Sequence, residues 1–189
     1  MALDTIVTTW RNNPTFYAGV SGTVIAVLSI RAQRRTSREK NSLDFEVAYK
    51  RNESVAAAWS ELLRIYKDRG HFPLEHWAQP ANSQSAGAKA LKTIFNEWER
   101  CANAVHHHLY DEKYLYCVYG STLIFLDISF EPYMAECRKN NPRVYKNMKV
   151  LALRWRVRRA VEDSDNNNKK RTMLLRKAQR CIDELSVIH

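Results

Sequence analysis

YLYCVYGSTLIFLDISF, residues 114–130, is the stretch on which the fold turns. It is apolar nearly all round, which reads as a central core helix. Residues 117–130 read alternatively as a buried strand, because periodicity alone does not separate the two. Asp111 and Glu112 just ahead of it suit the first turn of a helix, where acids meet the positive end of the dipole. Pro132 just beyond it either kinks that helix or marks a new turn, since proline removes a helical hydrogen bond and crowds the preceding turn.

Outward from this stretch the helical pattern repeats. Upstream, Leu91, Ile94, Phe95, Trp98, Cys101, Ala102 and Val105 share one face of a helix predicted over 89–108. Farther upstream, Val55, Trp59, Leu62, Leu63, Ile65 and Tyr66 give an amphipathic helix over 42–69, with Gly70 as its terminating glycine. Between them HFPLEHWAQPANSQSAG, residues 71–87, mixes proline, asparagine, serine and glycine and reads as the clearest loop. Downstream, Asn140, Asn141 and Pro142 make a break, and helices are predicted over 143–159 and 172–187 around a polar linker at 164–170. Glycine and proline number five each in 189 residues, too few for many tight strand turns.

The N-terminal end carries a different signal. TFYAGVSGTVIAVLSI, residues 15–30, has no charge, and Arg31, Arg34, Arg35, Arg38 and Lys40 follow it against the single acid Glu39. The run is short for a bilayer core that takes about 20 apolar residues, but Trp10, Phe16 and Tyr17 suit one interface and the arginines can snorkel at the other. Positive-inside bias then places the N-terminus outside and the rest in the cytosol. Asp4 near the N-terminus and the sequence LSIRAQRR after the run argue against a cleaved signal peptide. The expected fold is therefore all-α: a single N-terminal transmembrane helix followed by a cytosolic helical bundle of about five helices. Its segments are a short extracytoplasmic stretch at 1–13, an anchor at 14–32, a basic juxtamembrane connector at 33–41 and the helical domain at 42–189. An inner-membrane, single-pass location follows.

Thirty Lys and Arg against twenty Asp and Glu give a net charge of +10. Besides the cluster after the apolar run, RWRVRR at 154–159 and KKR at 169–171 combine basic and aromatic residues as anionic-lipid or nucleic-acid surfaces do. The candidate contacts are Arg31, Arg34, Arg35, Arg38, Arg154, Arg156, Arg158, Arg159, Lys169, Lys170 and Arg171. Cys101, Cys117, Cys137 and Cys181 stand far apart without metal or redox spacing and read as small core residues. His106, His107 and His108 invite a metal, but three consecutive helical residues fan about 200° around the axis and read better as a polar helix end. Asp127, inside its apolar stretch, is the acid expected to be buried, paired with Arg100 or Arg154. No nucleophile elbow or glycine-rich phosphate loop occurs, and no cofactor is expected.

The block YDEKYLYCVYGSTLIFLDISFEPYMAECRKNNPRVYKNMKVLALRW (110–155), with LKTIFNEWERCANAV (91–105), RRTSREKNSLDF (34–45) and the apolar run, resembles the family labelled domain of unknown function 4760. The resemblance implies an N-terminal hydrophobic helix, a basic connector and a helical domain. It also implies a membrane-associated bacterial or phage setting, with an accessory role in phage competition or exclusion, and it brings no catalytic residues. Three functions remain open. The first is a non-enzymatic, membrane-anchored interaction or regulatory module, partnered by the membrane, by an unknown protein or by further copies of itself through the anchor. The second is a soluble basic nucleic-acid-binding protein whose apolar run is buried in a core or oligomer. The third is an enzyme using the histidines and nearby acids.

Overall fold

The computed structural model describes residues 14–163, with side chains from 19 onward, and then 173, 176–180 and 182. No strand occurs among the described residues. Helix α1 (Pro14–Arg51) is 38 residues long. It runs without a break through the expected anchor and connector and on into the domain. Asn52 ends it: extended at φ −77° and ψ 106°, its side chain accepts from Ser54 N at 3.0 Å and caps α2 (Glu53–Lys67). The single helix expected over 42–69 is therefore two, and residues 42–51 belong to α1.

The predicted loop at 71–87 is wound into 3-10 turns, Leu74–Ala78 and Pro80–Asn82. Leu74 is buried and Trp77 packs against the core, while Asn82 Nδ2 donates to His76 O at 2.7 Å. A Cβ at Gly87 would stand 2.5 Å from the Trp77 ring, so glycine there lets the segment close onto α3 (Ala86–His106).

Residues 112–129 form a helix, α4 (Glu112–Ser129), which settles the strand alternative. Asp111 accepts from Tyr114 N at 3.0 Å and caps it. Pro132 lies in the first turn of a new helix, α5 (Glu131–Asn140), where its missing N–H leaves no bond unmade. After the break, α6 (Lys146–Glu162) begins behind Tyr145, whose φ of 55° is left-handed. Five α-helices thus follow α1 up to residue 163, and the described residues 173, 176–180 and 182 are helical as well.

The centre of the core differs from the expectation. Helix α3 buries ten residues and packs against α2 on one side and α6 on the other, whereas α4 buries seven. Although α4 is apolar all round, Val118 and Ile128 on its outer face remain exposed. Trp98, Trp155, Phe95, Phe130 and Leu123 are among the fully buried side chains. Helix α1 joins this core only through its last turns, where Phe45 and Tyr49 meet Trp98 and Tyr119 at ring-centroid distances of 5.7–6.3 Å.

The expected spanning helix at 14–32 has a different outcome: no helix among the described residues is long and apolar enough to cross a membrane. The reason is composition. The described apolar stretch 19–30 includes Gly19, Ser21, Gly22, Thr23 and Ser29, and Arg31 follows at once. At ~1.5 Å per residue it rises about 18 Å, against a hydrocarbon core of roughly 30 Å.

Candidate anionic interface

The basic candidates fall into two groups with different surroundings. On α6 the arginines are engaged within the domain. Arg154 pairs with Glu112, Arg158 with Glu162 at 2.9 Å, and Arg156 with Asp127 at 3.1 Å. Arg158 also lies 3.9 Å over the Tyr116 ring, with Arg159 at 5.9 Å from the same ring. Lys169, Lys170 and Arg171 lie outside the described residues, as does Cys181.

Asp127 is 1% exposed, as expected, but its partners are not Arg100 or Arg154. Lys149 reaches it at 2.9 Å and Arg156 at 3.1 Å. These two stand seven residues apart on α6, two turns along one face, and that face meets α4. Arg154 meets Glu112 at the opposite end of α4 from Asp127, while Arg100 pairs with Glu97 on its own helix.

On α1 the picture is the reverse. Arg35 pairs with Glu39 at 2.9 Å, one helical turn on. Arg31, Arg34 and Arg38 make no ion pair among the described residues. Arg34 and Arg38, with Gln33, Ser37 and Asn41, form one wall of a cleft of about 770 Å³. His107, His108 and Leu109 form the other wall.

The cleft exists because the turn between α3 and α4 is fastened to α1. Asp111 N donates to Ser42 Oγ at 2.7 Å, and Ser42 Oγ donates to Arg38 O at 2.9 Å. Asn41 Nδ2 donates to Leu109 O at 3.2 Å. His108 takes φ 55°, the left-handed step that reverses the chain after α3, with its N–H bonded to Val105 O at 3.0 Å. Ser42 is fully buried, so this junction is a fixed part of the domain. The sequence carried no sign of the pairing, because about 70 residues separate the two walls.

Of the three histidines, His106 ends α3. Burial holds its pKa below the ordinary value, and His107 and Arg154 nearby add to the effect. The His107 ring meets that of His106 edge to face, 5.1 Å between centroids, and lines the cleft with His108. No cluster of three or more His, Cys, Asp or Glu side chains able to hold a metal occurs among the described residues. Cys101 is buried, and burial pushes its thiol pKa up, the opposite of what a nucleophile requires. A second cleft, of about 390 Å³, is lined by Arg154, Arg158, Arg176 and Arg180, but Glu112 and Glu162 share it.

Fold and cleft together define a helical domain carried on one long helix with a basic neck. The chain belongs to the family described as Domain of unknown function (DUF4760), whose model matches residues 9–155. That match takes in the whole of the cleft and ends within α6. No curated protein and no solved structure matches the chain.

Proposed function

We propose that the protein is a membrane-seated, non-enzymatic interaction module. In this reading the apolar end of α1 enters the bilayer and the helical domain rests against the anionic cytosolic face. The observation that carries it is the exposure of Val20, Val24, Ile25, Val27, Leu28 and Ile30, between 42% and 64%, on the stretch of α1 ahead of the turns that join the core. At 100° per residue these side chains point to most sides of the axis, so one neighbouring face would not cover them. Burying the open half of each is worth on the order of 1 kcal/mol, a sum that strongly favours an apolar surrounding.

A full crossing draws on the flanks. From 14 to 32 the helix rises about 28 Å, close to the hydrocarbon thickness, with Arg31, Arg34 and Arg35 at the cytosolic interface. Gly22, Ala26 and Ser29 leave a narrow small-residue side along which two copies of the helix would pack, giving a homo-oligomer within the bilayer. A nucleic-acid-binding role draws on the same positive charge. The engagement of Arg154, Arg156 and Arg158 with carboxylates of their own domain weighs against it.

Fractionation of cells tests the proposal, comparing the full chain with a chain starting after Ile30. The full chain is expected to stay with membranes through high-salt and alkaline washes, and the shortened chain to be released. Release of both by salt alone would overturn membrane insertion and bring the nucleic-acid role forward.

A further inference from the structure

We infer that the cleft between α1 and the α3–α4 turn is a binding site for the phosphate of an anionic phospholipid, held by Arg34, Arg38, His107 and His108. The inference rests on the membrane reading and goes beyond it by naming a site and a ligand. A diffuse basic surface attracts any anionic bilayer equally; a cleft with fixed donors discriminates between headgroups.

Charge comes first. The cleft is lined by two guanidinium groups and two imidazoles, and by no carboxylate. The nearest acid on α1, Glu39, is engaged by Arg35. His107 stands at the C-cap of α3, so its ring is positioned at the cleft wall by the end of that helix. Donor geometry comes next. Positions 33, 34, 37, 38 and 41 fall on one side of α1, so Gln33, Ser37 and Asn41 add neutral donors beside the two arginines. Phosphate oxygens accept from all of these groups, and guanidinium forks match them two at a time.

Location makes the source a lipid. Gln33 lies about 5 Å along the axis beyond Ile30, and Asn41 about 16 Å beyond it. Headgroups occupy roughly the first 5–8 Å outside the hydrocarbon core, so the membrane-proximal end of the cleft, at Gln33 and Arg34, lies at their level and the long Arg38 side chain reaches toward it from the next turn. A volume of about 770 Å³ accommodates a phosphate with its glycerol.

The test uses the full chain with phosphatidylcholine vesicles, with and without phosphatidic acid, in a flotation assay. Wild type is expected to float with both and to prefer the phosphatidic acid vesicles. Arg34→Gln with Arg38→Gln, and separately His107→Ala with His108→Ala, should still float but lose about tenfold or more of that preference. Arg31→Gln with Arg35→Gln removes the same two charges from α1 outside the cleft and should keep it. Equal losses in all three variants, or no preference in wild type, would overturn the site.

If the full chain floats with neither vesicle, membrane seating itself has failed, and titration with inorganic phosphate decides the cleft. Phosphate binding by wild type that disappears in Arg34→Gln/Arg38→Gln sustains the site with a soluble source. No binding overturns it.

Discussion

Tyr49 shows how a single atom organises the junction of three helices. Its hydroxyl oxygen accepts from Trp59 Nε1 at 2.7 Å and from Trp98 Nε1 at 3.1 Å, while its ring packs on Phe45, Trp98 and Tyr119. Burial pushes its pKa up to about 12, although both indole bonds favour the ionised form. Phenylalanine would keep the ring contacts and strand two indole donors. Trp98 is fully buried and has no access to water, whereas Trp59 is only half-buried. Tyr49→Phe is expected to destabilise the fold by about 2 kcal/mol, mostly through the Trp98 N–H. Urea unfolding measures this. A loss under ~0.5 kcal/mol would mean that the indole bonds contribute little net stability. Asp127 teaches a different lesson at the same scale: its burial was readable from the apolar residues around it, but its partners depended on which face of α6 meets α4.

Among the elements, α6 is the one whose start is stabilised from outside. Tyr145 stands at its N-cap in a left-handed conformation and makes no side-chain cap bond. Glu99 of α3 takes over that role: Oε2 accepts from Met148 N at 2.8 Å, and Oε1 from Asn147 N at 3.2 Å and Asn147 Nδ2 at 2.9 Å. A carboxylate at this end also faces the positive pole of the helix. Glu99→Ala should cost about 2 kcal/mol, and Glu99→Gln, which keeps one acceptor, about half of that. Equal losses for the two would assign the effect to charge rather than to capping, and urea unfolding separates these outcomes. Such a cap was invisible in the sequence because 48 residues separate Glu99 from Asn147. The helices themselves were legible: α3 and α4 begin within a few residues of the predicted positions, since their apolar spacing is regular and Asp111 caps by a local rule. Asn52 was missed because its cap lies inside one continuous amphipathic pattern. The 3-10 turns of 74–82 were missed because their order comes from Trp77 closing over Gly87, a tertiary fact. The helix predicted over 172–187 lies largely outside the described residues.

At the scale of the whole molecule, α1 has two halves with opposite environments, and the attachment between neck and body determines whether the basic cleft keeps its shape. The apolar half and the arginine turns are exposed, whereas Ser42, Phe45 and Tyr49 are set into the domain. Glu46 adds a charged link to that attachment: it accepts from Lys50 on its own helix and from the Tyr114 hydroxyl on α4. Those two bonds, Lys50 first and Tyr114 second, hold the Glu46 pKa below its ordinary value of 4.5. A carboxylate whose pKa is lowered by folding binds its proton more weakly in the folded state than in the unfolded one. The stability it contributes is therefore complete above 4.5 and is lost as pH falls through the lowered value. Because Glu46 is close to solvent, the contribution is small, within about 1 kcal/mol. Wild type is accordingly expected to melt slightly above Glu46→Gln at neutral pH, with the gap closing in acid below the ordinary carboxylate range. Melting curves of both proteins from neutral pH downward measure that gap. A gap that stays constant with pH would show that the carboxylate acts through shape alone, and that the neck is held by Ser42 and the aromatic cluster without help from charge.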